Sequence, residues 1–240
     1  MAETLSIASL NLRFGISPGV ETPYDVTAAI ASLDADVVAL QEVWRPKHAV
    51  GAHEVAAAEL GYEVVDLALP RAHNKTSPPP VRERDGMTGT WWGVAVLARH
   101  PIRADGELEF PSIALDAAER RALVAEITTP WQSTLRVITP HLTYRLWGSR
   151  RHLRSLAHQA APASRSECVV LGDFNMWGPV VARMIPGWQR PVRGRTWPAR
   201  RPHSQIDHIL VSQPLRVVDA AVMPSVGSDH RPIRVTVAPR

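Results

Sequence analysis

Asn11, Glu42, His141, Asp173, Asn175, Asp207, Asp229 and His230 are far apart in the chain, yet they recur at one kind of place. Asn11 follows the apolar run Leu5 to Leu10. Glu42 closes DVVALQE, His141 follows LRVIT, and Asp173 and Asn175 follow VVLG. Asp229 and His230 stand just before the last apolar run, while Asp207 opens the run DHILV rather than ending one. In open α/β sheets the C-terminal edge of the strands is where ligands bind. Four carboxylates gathered there (Glu42, Asp173, Asp207 and Asp229) repel one another unless a cation lies among them. Oxygen donors without thiolates select a hard ion, Mg²⁺ or Mn²⁺. Imidazoles beside such an ion serve as hydrogen-bond donors to substrate oxygens. Ion, amides and imidazoles together suit one task, stabilising the charge on a phosphoryl group during in-line attack by water. A single aspartate at a strand end is ordinarily a turn residue or a helix cap. The chemistry is carried by the set.

The elements that must position these groups follow from apolar periodicity. Buried strands are expected at Leu5 to Leu10, Asp36 to Gln41, Tyr62 to Leu67, Trp91 to Ala98, Ala122 to Ile127 and Leu135 to Thr139. Others are expected at Cys168 to Leu171, Ile206 to Val211, Arg216 to Val222 and Ile233 to Val237. Thr22-Pro23 has the form of an N-cap followed by proline at the first helical position, opening a helix to about Leu33. A second helix runs from Ala52 to Leu60, with Gly61 placed to stop it, and a third from about Ser149 to Ala161. Residues 68 to 90, with Pro78-Pro79-Pro80 and Gly86, read as a long surface loop. Because strand alternation places neighbours on opposite faces, His208 is expected to point away from Asp207. Mixed strands and helices, hairpin-length connections and no internal repeat indicate one α/β domain over residues 1–240.

Composition narrows the class. The 240 residues are 45% hydrophobic and 21% charged, the balance of a soluble globular chain and not of a disordered or membrane-spanning one. No signal peptide is visible at Met1-Ala2-Glu3-Thr4, and no apolar run is long enough to span a bilayer. Cys168 is the one cysteine, so an internal disulfide and a cysteine-based zinc site are excluded, and a cytoplasmic setting is expected. Of the 27 basic residues only Lys47 and Lys75 are lysines. That bias is accounted for most simply by base composition of the coding sequence. It also suits phosphate recognition, because the planar guanidinium binds two oxygens at once.

Six strings carry a family resemblance: SLNLRFG at 9–15, LQEVW at 40–44, TPHLTYR at 139–145, LGDFNM at 171–176, QIDHILVS at 205–212 and GSDHRPI at 227–233. They resemble, in order and over nearly the whole chain, the endonuclease/exonuclease/phosphatase superfamily, which includes DNase I-like, exonuclease III-like and sphingomyelinase-like enzymes. The resemblance implies a four-layer α/β sandwich, two mixed β-sheets packed face to face with helices outside. It implies that Glu42 is the main Mg²⁺ ligand, with Asn11 beside it and Asp229 a second possible ligand. Asp173 would orient or deprotonate the attacking water, and Asn175 would steady a phosphoryl oxygen. His230 would contact the scissile phosphate with Asp207 as its carboxylate partner, and His141 would protonate the leaving oxygen. His141 stands where the exonuclease III-like branch has a tyrosine. Arg13 stands where some abasic-site enzymes have an acid, which argues against a second metal near Asn11.

The substrate is less legible. Tyr144 to Arg154 and Arg190 to Arg201 mix arginines with Trp147 and Trp197, as in surfaces that grip nucleic acid. Arg145, Trp147 and Trp197 are the substrate-binding candidates. Of the adjacent Trp91 and Trp92, one is expected in the core. Hydrolysis of DNA or RNA by a monomer is the leading expectation. The alternatives are a small-molecule or lipid phosphate ester, and a non-catalytic binding module on the same fold. A lipid substrate calls for an exposed apolar stretch, which the sequence does not display, and a binding module is expected to lose some of these acids or histidines. Membrane association is not expected.

Overall fold

The structure, a computed structural model, describes residues 3–20, 22–46, 49–69, 89–116 and 118–240, with the backbone alone at 89–91. Six strands, β1 (Leu5–Asn11), β2 (Val37–Pro46), β3 (Glu63–Ala68), β4 (Gly89–Ala98), β10 (Leu215–Val222) and β11 (Ile233–Pro239), form one sheet in the order β10-β11-β1-β2-β4-β3. Five more, β5 (Ile102–Glu109), β6 (Arg121–Thr128), β7 (Thr134–Pro140), β8 (Cys168–Asp173) and β9 (Asp207–Val211), form a second in chain order. Helices α1 (Val26–Ala31) and α2 (Ala52–Leu60) cover the first sheet, and α3 (Leu146–Ala160) and α4 (Gly178–Met184) the second. This is the four-layer α/β sandwich that the motifs imply.

The sandwich explains why the central strands lack polar alternation. In β1, Leu5 and Ile7 face the inter-sheet core with Val94, Val96, Val169 and Leu171, while Ala8 and Leu10 face α1 with Ile30 and Leu33. A strand covered on both faces reads as a continuous apolar run. Each leucine, isoleucine or valine so buried contributes about 1.5–3 kcal/mol. No helix among the described residues is long and apolar enough to cross a membrane.

Several boundaries differ from the sequence reading, each for a local reason. The first helix is capped by Asp25, whose carboxylate accepts from the Ala28 amide at 2.8 Å, and Pro23 stays extended in a bridge to Ile16. The aspartate satisfies an orphan helical donor that Thr22 is too far away to reach. Helix α3 starts at Leu146, ahead of the expected Ser149. Gly148 sits inside its first turn because a Cβ there would press on Ile113 and Thr143. Strand β5 escapes the sequence reading: it is an edge strand with mostly exposed, charged side chains and a bulge after Ala104, features that blunt an edge but hide a strand. The short α4 escapes it too. The expected loop at 68–90 falls mostly on residues 70–88, outside the described residues, and its end at Gly89 already belongs to β4.

Candidate active site

Two parallel pairs bring the chemistry to one edge. β1 runs parallel to β2 and β7 parallel to β8, so Asn11, Glu42, His141 and Asp173 lie at the same end of the two stacked sheets. Asp207 opens its strand, but β9 is antiparallel to β8 and Asp207 pairs in register with Asp173. Likewise His230 precedes β11, which is antiparallel to β1. The two residues that begin strands thus reach the edge where the others end. His208 points to the opposite face, against Phe174, with Nε2 2.8 Å from the Met176 carbonyl.

Glu42 does not close its strand. β2 continues to Pro46, and the register against β4 shifts between Gln41 and Val43, leaving Glu42 as the extra residue of a bulge with φ 51°. A non-glycine residue in this region is strained, and such strain persists where the surroundings hold it. The bulge turns the carboxylate toward Asn11, whose Nδ2 donates to Glu42 Oε1 at 3.2 Å and to Asp173 Oδ2 at 3.1 Å. Next door, Gly172 lets β8 approach, since a Cβ there would collide with the Pro140 carbonyl oxygen. The Asp173 carboxylate accepts from the Asn175 amide at 2.8 Å, and Asn175 Nδ2 is tied to the Leu142 carbonyl at 3.0 Å.

The histidines occupy different electrostatic positions. His230 Nδ1 donates to both oxygens of Asp207 at 3.0 and 3.1 Å, and its Nε2 lies 3.8 Å from Asp173 Oδ2. Burial disfavours its charge, but Asp207 and Asp173 outweigh burial and push it up to about 10. His141 Nε2 is 3.6 Å from Asp173 Oδ2 and 3.8 Å from Glu42 Oε1. Burial, then Arg120 and His230, hold it well below the usual imidazole range. Burial raises Asp173 to about 7, with Asp207 and Glu42 adding to it and His230 opposing, and burial raises Glu42 as well. Carboxylates held this way are relieved by a cation among them. Asp173, Asp207 and His230 offer ligand atoms within 4.8 Å of one another, and Asn11 and His141 each lie between Glu42 Oε1 and Asp173 Oδ2. With His230 protonated, the donors left for an ion are carboxylate and amide oxygens. Cys168 is buried in the outer core, and burial pushes its thiol up to about 12. The set fits a hard divalent ion.

Around this floor lies a cleft of about 490 Å³. Its lining includes Glu42, His141, Asp173, Asn175 and His230 among the expected residues, with Trp197 in its wall. Asp229 stands to one side: Trp197 Nε1 donates to it at 3.4 Å, and Arg13 Nε is 3.9 Å away. Arg145 and Trp147 do not line the cleft. Arg145 lies over the Tyr144 ring and donates to the Leu115 carbonyl, and Trp147 is 78% exposed on the first turn of α3. Trp92 is the core tryptophan of its pair, whereas the Trp91 side chain lies outside the described residues.

Sequence reasoning misses Arg120, Phe14, Tyr144 and Trp177 in the cleft wall. Arg120 is buried and forked onto Asp116 at 3.0 and 3.2 Å, with its guanidinium 5.0 Å from the Trp92 ring, which meets His141 edge-on. The run Glu119-Arg120-Arg121 resembles ordinary surface charge, and only the fold buries one member. Ser228, inside the GSDHRPI string, has a role that its sequence position does not signal: its hydroxyl donates to the Asn11 carbonyl at 2.6 Å, tying the GSDH turn to β1.

The same fold recurs in known proteins. An endonuclease/exonuclease/phosphatase from Beutenbergia cavernae matches with a TM-score of 0.74 at 20% identity, over 99% of this chain and 72% of that one. The human Nocturnin catalytic domain with bound sulfate matches at 0.69 and 16% identity, over 100% and 96%. D. rerio TDP2 complexed with single-strand DNA product matches at 0.63 and 18% identity, over 98% of each chain. At these identities the likeness is one of fold. No curated protein matches the chain in sequence. The model of the Endonuclease/Exonuclease/phosphatase family matches residues 8–230, and the chain therefore belongs to that family.

Proposed function

We propose that the protein hydrolyses phosphodiester bonds of DNA or RNA with Mg²⁺ as its ion, Mn²⁺ being an acceptable substitute. The observation that carries this reading is the meeting of Glu42, His141, Asp173 and His230 on the floor of one aromatic-walled cleft, with Asn11 and Asp207 hydrogen-bonded behind them. Family membership supports phosphoester hydrolysis. Nucleic acid is favoured by the rings of Phe14, Tyr144, Trp177 and Trp197 in the wall, since planar faces suit bases.

Glu42, with Asn11 beside it and Asp229 as a further donor, would hold the ion. Its contribution when bound is to offset charge on the phosphoryl oxygens. Asp173 positions water and takes its proton, with one carboxylate oxygen held by the Asn175 amide. Asp207 fixes the His230 ring so that Nε2–H faces the reacting phosphate with a positive charge. The leaving oxygen can take its proton from the His230 imidazolium, while His141, held neutral, donates a hydrogen bond to a non-bridging oxygen and Asn175 steadies another. Asp173→Ala and His230→Ala, assayed on a labelled oligonucleotide with Mg²⁺, should each lose about 10² to 10³ in rate. Near-normal turnover in both would remove the assignment.

A further inference from the structure

Resting on the phosphodiesterase reading above, we propose that the outer face of α3 is a track for a single strand of nucleic acid leaving the cleft. In this track Trp147 stacks a base, and Arg151 and Arg154 hold phosphates. Trp147, Arg151, Arg154 and His158 follow one another at helical spacings of four, three and four, so they share one face. All four are exposed, and Trp147 is the most exposed large apolar side chain among the described residues. From Trp147 to Arg154 the stripe covers about 10 Å of helix axis, enough for neighbouring phosphates of an extended strand. The track begins next to the cleft in sequence: Tyr144, which lines the cleft, stands two residues before the helix.

A solvated helix face would look different. Such faces interleave acids with bases at i,i+4, but the sequence holds no Asp or Glu between Glu126 and Glu167. The segment therefore presents arginine without counter-charge of its own, next to a tryptophan with one broad apolar surface left in water. Nucleic acid supplies both missing partners, phosphates for guanidinium and base faces for indole. A duplex hides its base faces in the stack, so the tryptophan selects an unpaired strand. An anionic bilayer would also attract the arginines, and the exposed Leu115 and Leu146 would suit it. What favours the strand is that Tyr144, in the cleft wall, stands three residues before Trp147 in the chain, and a second exposed ring, Trp177, lines the same cleft.

The test is fluorescence anisotropy with a labelled oligothymidine of about 20 nucleotides, with chelator present to stop turnover. Trp147→Ala should weaken binding about five- to hundred-fold. Arg151→Ala/Arg154→Ala should flatten the plot of log affinity against log salt by about 1.4, near 0.7 for each phosphate no longer neutralised. A blunt duplex of the same length should bind more weakly and be indifferent to Trp147→Ala. Both variants binding the oligothymidine as the parent does would overturn the proposal, and so would preference for duplex. The same holds if phosphatidylglycerol vesicles capture the parent through these residues while oligothymidine binding is unaffected. A separate arm, hydrolysis of bis(p-nitrophenyl) phosphate by the parent with Mg²⁺, tests the underlying reading. Failure there with strand binding intact would reject the hydrolase and leave the track standing.

Discussion

Asp173 lies at the centre of the floor, touching Asn11, Asn175, His141 and His230. The neighbouring pair, His230 with Asp207, makes a sharper test of charge than removal does. Asp207→Asn keeps a group of the same shape but removes the carboxylate that favours imidazolium. Hydrolysis should fall by about 10² or more, with the pH profile displaced to lower pH because His230 then loses its proton earlier. A rate and profile like the parent's would show that Asp207 is merely structural. Arg120 belongs to the same scale. Its side chain and that of Asp116 are 5% and 1% exposed, so Arg120→Ala strands a buried carboxylate. Stability should drop by roughly 3–5 kcal/mol, measurable as a fall in urea midpoint. The acids and histidines of the floor are legible in the sequence because they sit in short strings with distinctive order. Arg120 is not, because its importance comes from burial beneath Trp92, which no local pattern records.

At the level of elements, the sheet edges are legible and their irregularities are not. Continuous apolar runs mark β1, β2 and β8, since both faces of each are covered. The bulge at Glu42 leaves no such mark: LQEVW reads as a strand followed by a polar end, and only the pairing with β4 reveals the extra residue. Gly172 is the matching device on the other sheet. Gly172→Ala should separate β7 from β8 and destabilise the fold by about 1–3 kcal/mol, which calorimetric melting would detect. The outer layer yields a pH prediction. His208 and His152 are buried neutral, burial being the main cause for each, and His208 is pushed down to about 4. A histidine lowered on folding adds stability above its ordinary value of 6.5 and loses it as pH falls, here between about 6.5 and 4 for His208. Up to about 3 kcal/mol is at stake across that window. Urea midpoints should fall between pH 7 and pH 5 in the parent and fall less in His208→Gln. An identical fall in both would show that His208 does not contribute.

The molecule as a whole is an arrangement for bringing distant acids together. Asn11 and Glu42 come from one sheet, His141, Asp173 and Asp207 from the other, and His230 from the turn that Ser228 ties to β1. Between the sheets just behind the floor, Gln41 Nε2 donates to Thr139 Oγ1 at 3.1 Å, so the register of the two layers and the geometry of the site are fixed together. The central claim is that this convergence holds one hard ion. Mn²⁺ binding followed by electron paramagnetic resonance tests it most directly, with the parent beside Glu42→Gln and Asp173→Asn. The account predicts a single bound Mn²⁺ per chain that Mg²⁺ displaces and that either substitution weakens by at least an order of magnitude. A parent that binds no Mn²⁺, or variants that bind it as tightly as the parent, would contradict it.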